Sequence, residues 1–575
     1  MNTALLTGTT QSPRPQWSSM STSRYLAEAL RTYGVTHFFH VPVIVPAAMR
    51  EMVDIGVTPV MTHGEKAAAY MADGYARASG RVGVCGAQAI GGTNLAAGLR
   101  DAFMARIPIV ALTGGKRIEN QYRGQYQEID DMPIFEAITK FNGTVWSPDR
   151  LPDMLGSAFR AATTSAPAPV HLELSGMLGE IGTAGEVTAP PPDGRFGRYP
   201  AVRPPAPPED VRAAVEALAL ADRPVIVAGG GARTSGAGEE LLALARRWSA
   251  PIVTGMNAKG IVAENDPLAL GVVGEYSTTA ANRAVYEADL VVYVGSQTGG
   301  LVTHNFSVPA VDARVVHIDI DPLNLSRNFP HSVGVLGDAR TVLRQLLEFD
   351  GGRASRSVWL DRVAGMRDEW LAQVAPAETS QKTPMTPQRL ARELADALPD
   401  DGILVTDTGH AASWLSQNLR SRSANQSFLR SHGSLGWGFP ASLGAKCAMP
   451  DRPVVCFTGD GGFYYHLSEL ETAVRYELPV VVVVNNNASL NQEQVLWQGN
   501  PAFDHLWRMR SADFTAVAEA FGCQGIRVEN PADVGDAVRS ALASGQPTVI
   551  EAISDDAEMA VPAWGPAGST GMYAY

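Results

Sequence analysis

The sequence predicts an α/β protein built of three doubly wound parallel-sheet domains. Short β-branched runs alternate with helical patterns throughout, at residues 82–84, 109–112, 225–228, 290–294, 403–406, 454–457 and 480–484. Such alternation is what parallel sheets with crossover helices require. Two Pro-rich stretches, 189–207 and 375–387, divide the chain into pieces of domain size, because proline fixes φ and removes a backbone donor. The 575 residues also suit about three or four domains at ~100–200 residues each.

The elements are expected in this order. A flexible arm covers 1–22 and a first domain 23–188, followed by the linker 189–207. A central domain covers 208–374, the second linker 375–387 follows a helix ending near Val374, a third domain covers 388–553, and a tail covers 554–575. The first and third domains share a rhythm, with polar and Gly residues after an apolar strand at Thr113-Gly114-Gly115 and Thr458-Gly459-Asp460. That rhythm is consistent with duplicated domains.

Composition narrows the function. Lys plus Arg number 46 against 59 Asp plus Glu, a net charge of −13 with no basic block, which argues against nucleic-acid binding. Apolar runs such as 480–484 fall far short of the ~20 residues that cross a bilayer, so no membrane association is expected. The four cysteines, Cys85, Cys447, Cys456 and Cys523, form no CxxC pair and indicate neither disulfides nor zinc. Residues 1–22 lack a charged start and an apolar core, so they do not read as a secretory signal, and the cytoplasm is the expected compartment.

The third domain carries the strongest chemistry. Thr458-Gly459-Asp460-Gly461-Gly462-Phe463 closes a strand, a helical stretch runs to Glu477, and the strand 480–484 leads into Asn485-Asn486-Asn487. A Gly-rich turn at a helix N-terminus exposes backbone N–H groups that favour phosphate. Asp460 adds a hard carboxylate oxygen and the Asn run an amide oxygen at the same sheet edge, a donor set that suits Mg²⁺ or Ca²⁺ together with diphosphate oxygens.

This stretch resembles the thiamine-diphosphate motif of the acetolactate synthase and pyruvate decarboxylase superfamily. The resemblance extends from about Ser23 to about Ile553. It implies the three-domain fold of those enzymes, thiamine diphosphate as cofactor, and Asp460, Asn487 and the Ser489 carbonyl as metal ligands. Gly459, Gly461, Gly462 and Leu490 would complete the surroundings of the diphosphate. Asp407-Thr408-Gly409-His410 resembles the family's other diphosphate loop, which implicates Asp407, Gly409 and His410. Leu435, flanked by Gly433 and Gly436, falls on the apolar wedge that keeps the cofactor bent.

In the first domain, counting back from Gly74-Tyr75-Ala76-Arg77 places Glu65 on the family's catalytic glutamate. The resemblance implies that this carboxyl passes a proton to the aminopyrimidine ring, and burial would raise its pKa for that task. The family's two cofactor-binding domains meet across a subunit interface, so at least a dimer is implied.

Substrate residues depart from the relatives. Val43 and Ile44 stand where acetolactate synthase has paired glycines and are expected to narrow the cavity, and His40 adds a titratable group. Gln127, in a stretch like that of acetolactate synthase, is a candidate substrate contact. Glu493 falls where pyruvate decarboxylase-type enzymes carry an active-site glutamate. Gly295-Ser296-Gln297-Thr298 lacks the arginine of the flavin-binding relatives, so an empty, structural central domain without FAD is expected despite Gly229-Gly230-Gly231.

The function that follows is decarboxylation of a 2-oxo acid, with ligation to an acceptor carbonyl or protonation. The alternatives are a lyase of a 2-hydroxy ketone or 1,2-dione, and a non-catalytic binding subunit. The joint presence of Glu65, Asp460 and Asn487 argues against the last of these.

Overall fold

The computed structural model of the chain describes residues 17–349, 355–497 and 499–571. Three six-stranded sheets, parallel throughout, form its frame. The N-terminal sheet contains β1 (His37–Val41), β2 (Thr58–Met61), β3 (Gly83–Ala87), β4 (Ile109–Gly114), β5 (Phe141–Val145) and β6 (Val170–Leu174), in the spatial order β2-β1-β3-β4-β6-β5. The central sheet contains β7 (Pro224–Ala228), β8 (Ile252–Thr254), β9 (Ala269–Val272), β10 (Leu290–Val294), β11 (Arg314–Asp319) and β12 (Val333–Leu336), in the order β9-β8-β7-β10-β11-β12. The C-terminal sheet contains β13 (Ile403–Thr406), β14 (Ser427–Arg430), β15 (Val454–Gly459), β16 (Val480–Asn486), β17 (Gln524–Val528) and β18 (Thr548–Ile553), in the order β14-β13-β15-β16-β18-β17. The outer two sheets therefore share one strand order, while the central sheet has the order of dinucleotide-binding folds. Strands such as β16 are buried along their whole length, as expected for a sheet covered by helices on both faces.

Seven helices matter below: α1 (Glu65–Ser79), α2 (Gly92–Ala105), α3 (Ser357–Glu378), α4 (His410–Asn418), α5 (Gly438–Ala448), α6 (Asp460–Phe463) and α7 (Glu469–Arg475). Helices α1 and α5 join the outer domains by crossing backbone to backbone. A Cβ on Gly74 would lie 1.9 Å from the Ala441 carbonyl oxygen, and one on Gly444 would lie 1.9 Å from that of Met71. Beside the crossing, the buried Arg77 pairs with Asp73 at 2.7 Å and Asp101 at 3.0 Å. The Trp437 indole N–H donates to Asp73 at 2.8 Å, and the backbone N–H of His432 donates to Asp101 at the same distance.

Three boundaries differ from the sequence expectation. Residues 1–16 of the expected arm lie outside the described residues, but Met20–Ser21 already pairs antiparallel with Glu186–Val187, and a helix begins at Thr22. Helix α3 runs past Val374 and through Pro376, whose missing N–H removes only one bond close to the helix end. The described part of the tail packs on other elements, where Gln417 Nε2 donates to the Val561 carbonyl and Asn282 Nδ2 to that of Trp564, each at 2.7 Å.

Candidate active site

The carboxyl ends of β15 and β16 form the first wall. Gly459 ends β15 and caps α6, which makes Asp460 the first helical residue, only 1% exposed. Its carboxylate accepts the N–H of Gly461 at 2.7 Å and of Ser489 at 3.2 Å, yet burial still pushes it up to about 6. The parallel register sets Gly459 beside Asn485, and the next two residues separate in role. Asn486 turns inward and donates to Glu551 at 2.6 Å and Ser511 at 2.9 Å. Asn487 stays half-buried, its Oδ1 accepting the Ser489 hydroxyl at 2.9 Å. Of these two, Asn486 is thus engaged within the sheet and Asn487 keeps the more exposed side chain.

Ser489 forms an isolated antiparallel bridge with Arg508, in which the bonds run from Leu490 N–H to the Trp507 carbonyl and from Met509 N–H to the Ala488 carbonyl, each at 2.7 Å. Leu490 packs over the glycine turn, since a Cβ on Gly461 would lie 2.5 Å from its Cδ2, whereas a Cβ on Gly459 would meet nothing within 4 Å. A carboxylate, an amide oxygen and open space beside a Gly-rich helix start fit a diphosphate with its divalent cation. Among the described residues no cluster of three His, Cys, Asp or Glu side chains is placed to hold a metal.

The second wall comes from the loop after β13. Gly409 adopts φ 73° and caps α4, and His410 Nδ1 lies 2.5 Å from Asn491 Oδ1. Burial lowers His410 to about 4, so its ring is neutral near pH 7. Gln492, whose Oε1 is buried without a partner, lies 3.5 Å from where a Gly409 Cβ would be. Glu493 follows in the short 3₁₀ helix Asn491–Trp497, its N–H donating to the Leu490 carbonyl at 2.9 Å and its side chain half-buried. Leu435 is half-buried between Gly433 (φ 126°) and Gly436 (φ 86°).

Asp407 needs a correction of role. Its carboxylate points inward, accepting N–H bonds from Thr408 at 2.7 Å and from Gly436 and Gly438 at 3.1 Å each. It holds the turn that carries Leu435, and its side-chain acceptors are already engaged. Asn491, which the sequence reading missed, is the residue that steers His410. It gave no local signal, because their contact spans 81 residues.

The third wall lies on the N-terminal sheet. Glu65 is the first residue of α1, half-buried, and accepts from Asn94 Nδ2 at 3.2 Å. Gly91 allows this placement, for a Cβ there would lie 2.6 Å from Glu65 Oε1. Gln127 sits near the same helix start, its Oε1 accepting the Ile90 N–H at 3.1 Å and its Nε2 donating to Gln88 at 3.3 Å. His40, at the end of β1, is buried against Phe38, lowered to about 4 by that burial, and its Nδ1 has no partner. Ile44 overturns one expectation. It is fully buried in the domain core beside Phe38, so it does not narrow a cavity, while Val43 stays half-buried.

The turn before Glu65 is gripped by the C-terminal domain of the same chain. His63 N–H donates to Glu469 at 3.0 Å and its Nε2 lies 2.7 Å from Glu471. Met61 N–H donates to the Tyr476 hydroxyl and Arg475 to the Met61 carbonyl, both at 2.9 Å.

The central domain holds a cavity of about 200 Å³ at the carboxyl ends of its strands. Gly229, Gly231 and Gly295 line it, together with Arg106 and Asn324. Arg106 Nε and Asn324 Oδ1 are both buried without partners. The central domain thus encloses a mainly apolar cavity with these two polar atoms at its wall.

Three family models match the chain in succession. They are described as the thiamine pyrophosphate enzyme N-terminal TPP binding domain (residues 20–134), central domain (211–346) and C-terminal TPP binding domain (407–552). The chain belongs to the thiamine pyrophosphate enzyme family. Among relatives of this enzyme, the probable acetolactate synthase large subunit of Methanocaldococcus jannaschii is 35% identical, over 90% of this chain and 88% of its own length. The acetolactate synthase large subunit of Parasynechococcus marenigrum is 34% identical over 93% and 87%. The sulfoacetaldehyde acetyltransferase of Alcaligenes xylosoxydans is 31% identical over 91% and 90%. This is a thiamine-diphosphate-dependent enzyme of decarboxylation and carboligation chemistry, with acetolactate synthase homologues. Among its described residues no helix is long and apolar enough to cross a membrane.

Proposed function

We propose that this enzyme decarboxylates a 2-oxo acid and transfers the remaining acyl unit to an acceptor carbonyl. Relatives named acetolactate synthase and acetyltransferase favour ligation over cleavage of a hydroxy ketone, and over a non-catalytic role. Bound thiamine diphosphate supplies a carbon nucleophile and accepts the electron pair released when CO₂ leaves. Asp460, Asn487 and the Ser489 carbonyl would hold Mg²⁺ or Ca²⁺, with His410 and the Gly459–Gly462 turn facing the diphosphate. His410, held through Nδ1 by Asn491 Oδ1, would donate from Nε2 to a phosphate oxygen once the diphosphate's charge has drawn a second proton onto its ring.

Glu65 moves a proton to and from the aminopyrimidine ring nitrogen through its carboxyl. Glu493 holds a proton beside the substrate carboxylate, and Gln127 and His40 orient the substrate. Polar orphans in the central cavity support a nucleotide as its occupant, while the missing arginine in the Gly295–Thr298 loop speaks against FAD.

The observation that carries this reading is the division of the machinery. Asp460 and Asn487 sit on one sheet edge, and Glu65, whose side chain accepts from Asn94, sits on another. The residues beside both edges include bare apolar side chains, with Tyr122 91% and Tyr126 83% exposed on one domain and Val495 and Leu506 each 48% exposed on the other. A homodimer in which each site takes Glu65 from one subunit and Asp460 from the other accounts for both features. Co-refolding Glu65→Gln with Asp460→Ala subunits tests it. Half the dimers are then mixed and each contains one intact site, so about a quarter of wild-type activity is expected from two inactive parents. Activity no higher than that of the parents would overturn the shared site.

A further inference from the structure

A cavity of about 240 Å³ lies at the seam between the central and C-terminal domains. Leu270, Leu371, Leu419 and the Trp370 ring give it an apolar wall. Three cations also line it, Lys259, Arg367 and Arg420, with one carboxylate, Glu264. Two are already neutralised, for Lys259 lies 2.7 Å from Glu264 and Arg420 lies 2.7 Å from Glu378. Arg367 differs. Its Nη1 donates to the Pro267 carbonyl at 3.3 Å, its Nε is buried without an acceptor, and among the described residues no carboxylate pairs with it. A guanidinium donor left unpaired beside an apolar wall calls for an anionic acceptor with a hydrocarbon body.

We propose that this seam cavity binds a small monocarboxylate with a short apolar tail, its carboxylate on Arg367 and its tail against Trp370 and Leu371. One unneutralised cation favours one negative charge, and a neutral or cationic analogue would leave the Arg367 donor unmet. Ser416 and Gln417 line the cavity from the last turn of α4, the helix whose first residue is His410. Occupant and cofactor would therefore touch opposite ends of a single element.

Calorimetric titration of the full-length enzyme, loaded with thiamine diphosphate and Mg²⁺, tests the proposal with hexanoate as probe. Saturable binding is expected, and hexanol and hexylamine should each bind about tenfold more weakly or worse. Arg367→Met keeps the aliphatic stem and removes the charge, so it should weaken hexanoate about tenfold or more and leave basal turnover unchanged. Leu371→Trp, which fills the cavity, should weaken it as well. The proposal fails if hexanoate does not saturate or if hexanol matches it. It fails equally if both variants bind hexanoate as tightly as the wild type, which would locate the probe at the active site.

Discussion

The N-terminal and C-terminal sheets repeat one strand order yet carry opposite chemistry at their carboxyl edges. On the C-terminal edge the chain offers hard oxygens and backbone N–H groups, from Asp460, Asn487 and the Gly459–Gly462 turn. On the N-terminal edge it offers a movable proton and amides, from Glu65, Asn94 and Gln127. The comparison reaches into the cores, because corresponding strands each bury a glutamate, Glu173 in β6 and Glu551 in β18. Glu551 receives Asn486 Nδ2 at 2.6 Å and Arg527 at 3.3 Å, whereas among the described residues the one hydrogen bond to the Glu173 carboxyl is a long 3.5 Å contact from Thr144. Equal topology therefore does not give equal electrostatics. The side chains that follow each strand decide what its edge can do.

The sharpest way to break the comparison is Asp460→Ala. It should abolish metal-dependent affinity for thiamine diphosphate, as read by titration in Mg²⁺, while Asn487→Ala should weaken the same affinity less. Unchanged affinity in Asp460→Ala would remove the metal from this edge. The opposite edge should behave differently. Glu65→Gln should leave cofactor affinity near normal but slow exchange of the cofactor's C2 proton by ~10²–10⁴-fold.

Glu493→Gln sharpens the division within the C-terminal edge. C2-proton exchange should stay near normal, while product formation falls by about 10²-fold and ligated product rises relative to released aldehyde. An unchanged product ratio and rate would return Glu493 to a surface role.

The smallest expected effect is on stability. Burial pushes Glu173 up to about 7 from an ordinary glutamate value near 4.5. The unfolded chain therefore releases this proton at lower pH than the folded one. Its contribution is fully present below about 4.5 and is lost as pH rises through about 7, on the order of 1–3 kcal/mol. Glu173→Gln should flatten that decline in denaturation series between pH 5 and 8 at roughly this scale, and a decline as steep as in the wild type would show that other groups cause it.

Much of this was legible in the sequence. Short β-branched runs and a Gly-rich turn are local patterns, so the three parallel sheets and the Asp460 turn with its asparagine run could be read from neighbouring residues. What escaped depends on contacts distant in the chain. Asn486 and Asn487 are distinguished by Glu551, 65 residues beyond Asn486, and Asp407 is turned inward by glycines 29 and 31 residues later. Ile44 looked like a cavity residue because of its position in a motif, but the loop after β1 rotates it into the core, where its branched side chain has more to gain.

The grip on residues 61–64 bears on how such domains can be exchanged between chains. The hydroxyl that accepts the Met61 N–H lies 415 residues away, on a domain that a modular view would treat as a separate part. Transplanting the N-terminal domain into another scaffold would bring Glu65 along but leave its turn untethered. A chimera should therefore inherit proton transfer only if Glu469, Glu471, Arg475 and Tyr476 travel with it, which makes the functional module a pair of surfaces and not a stretch of sequence.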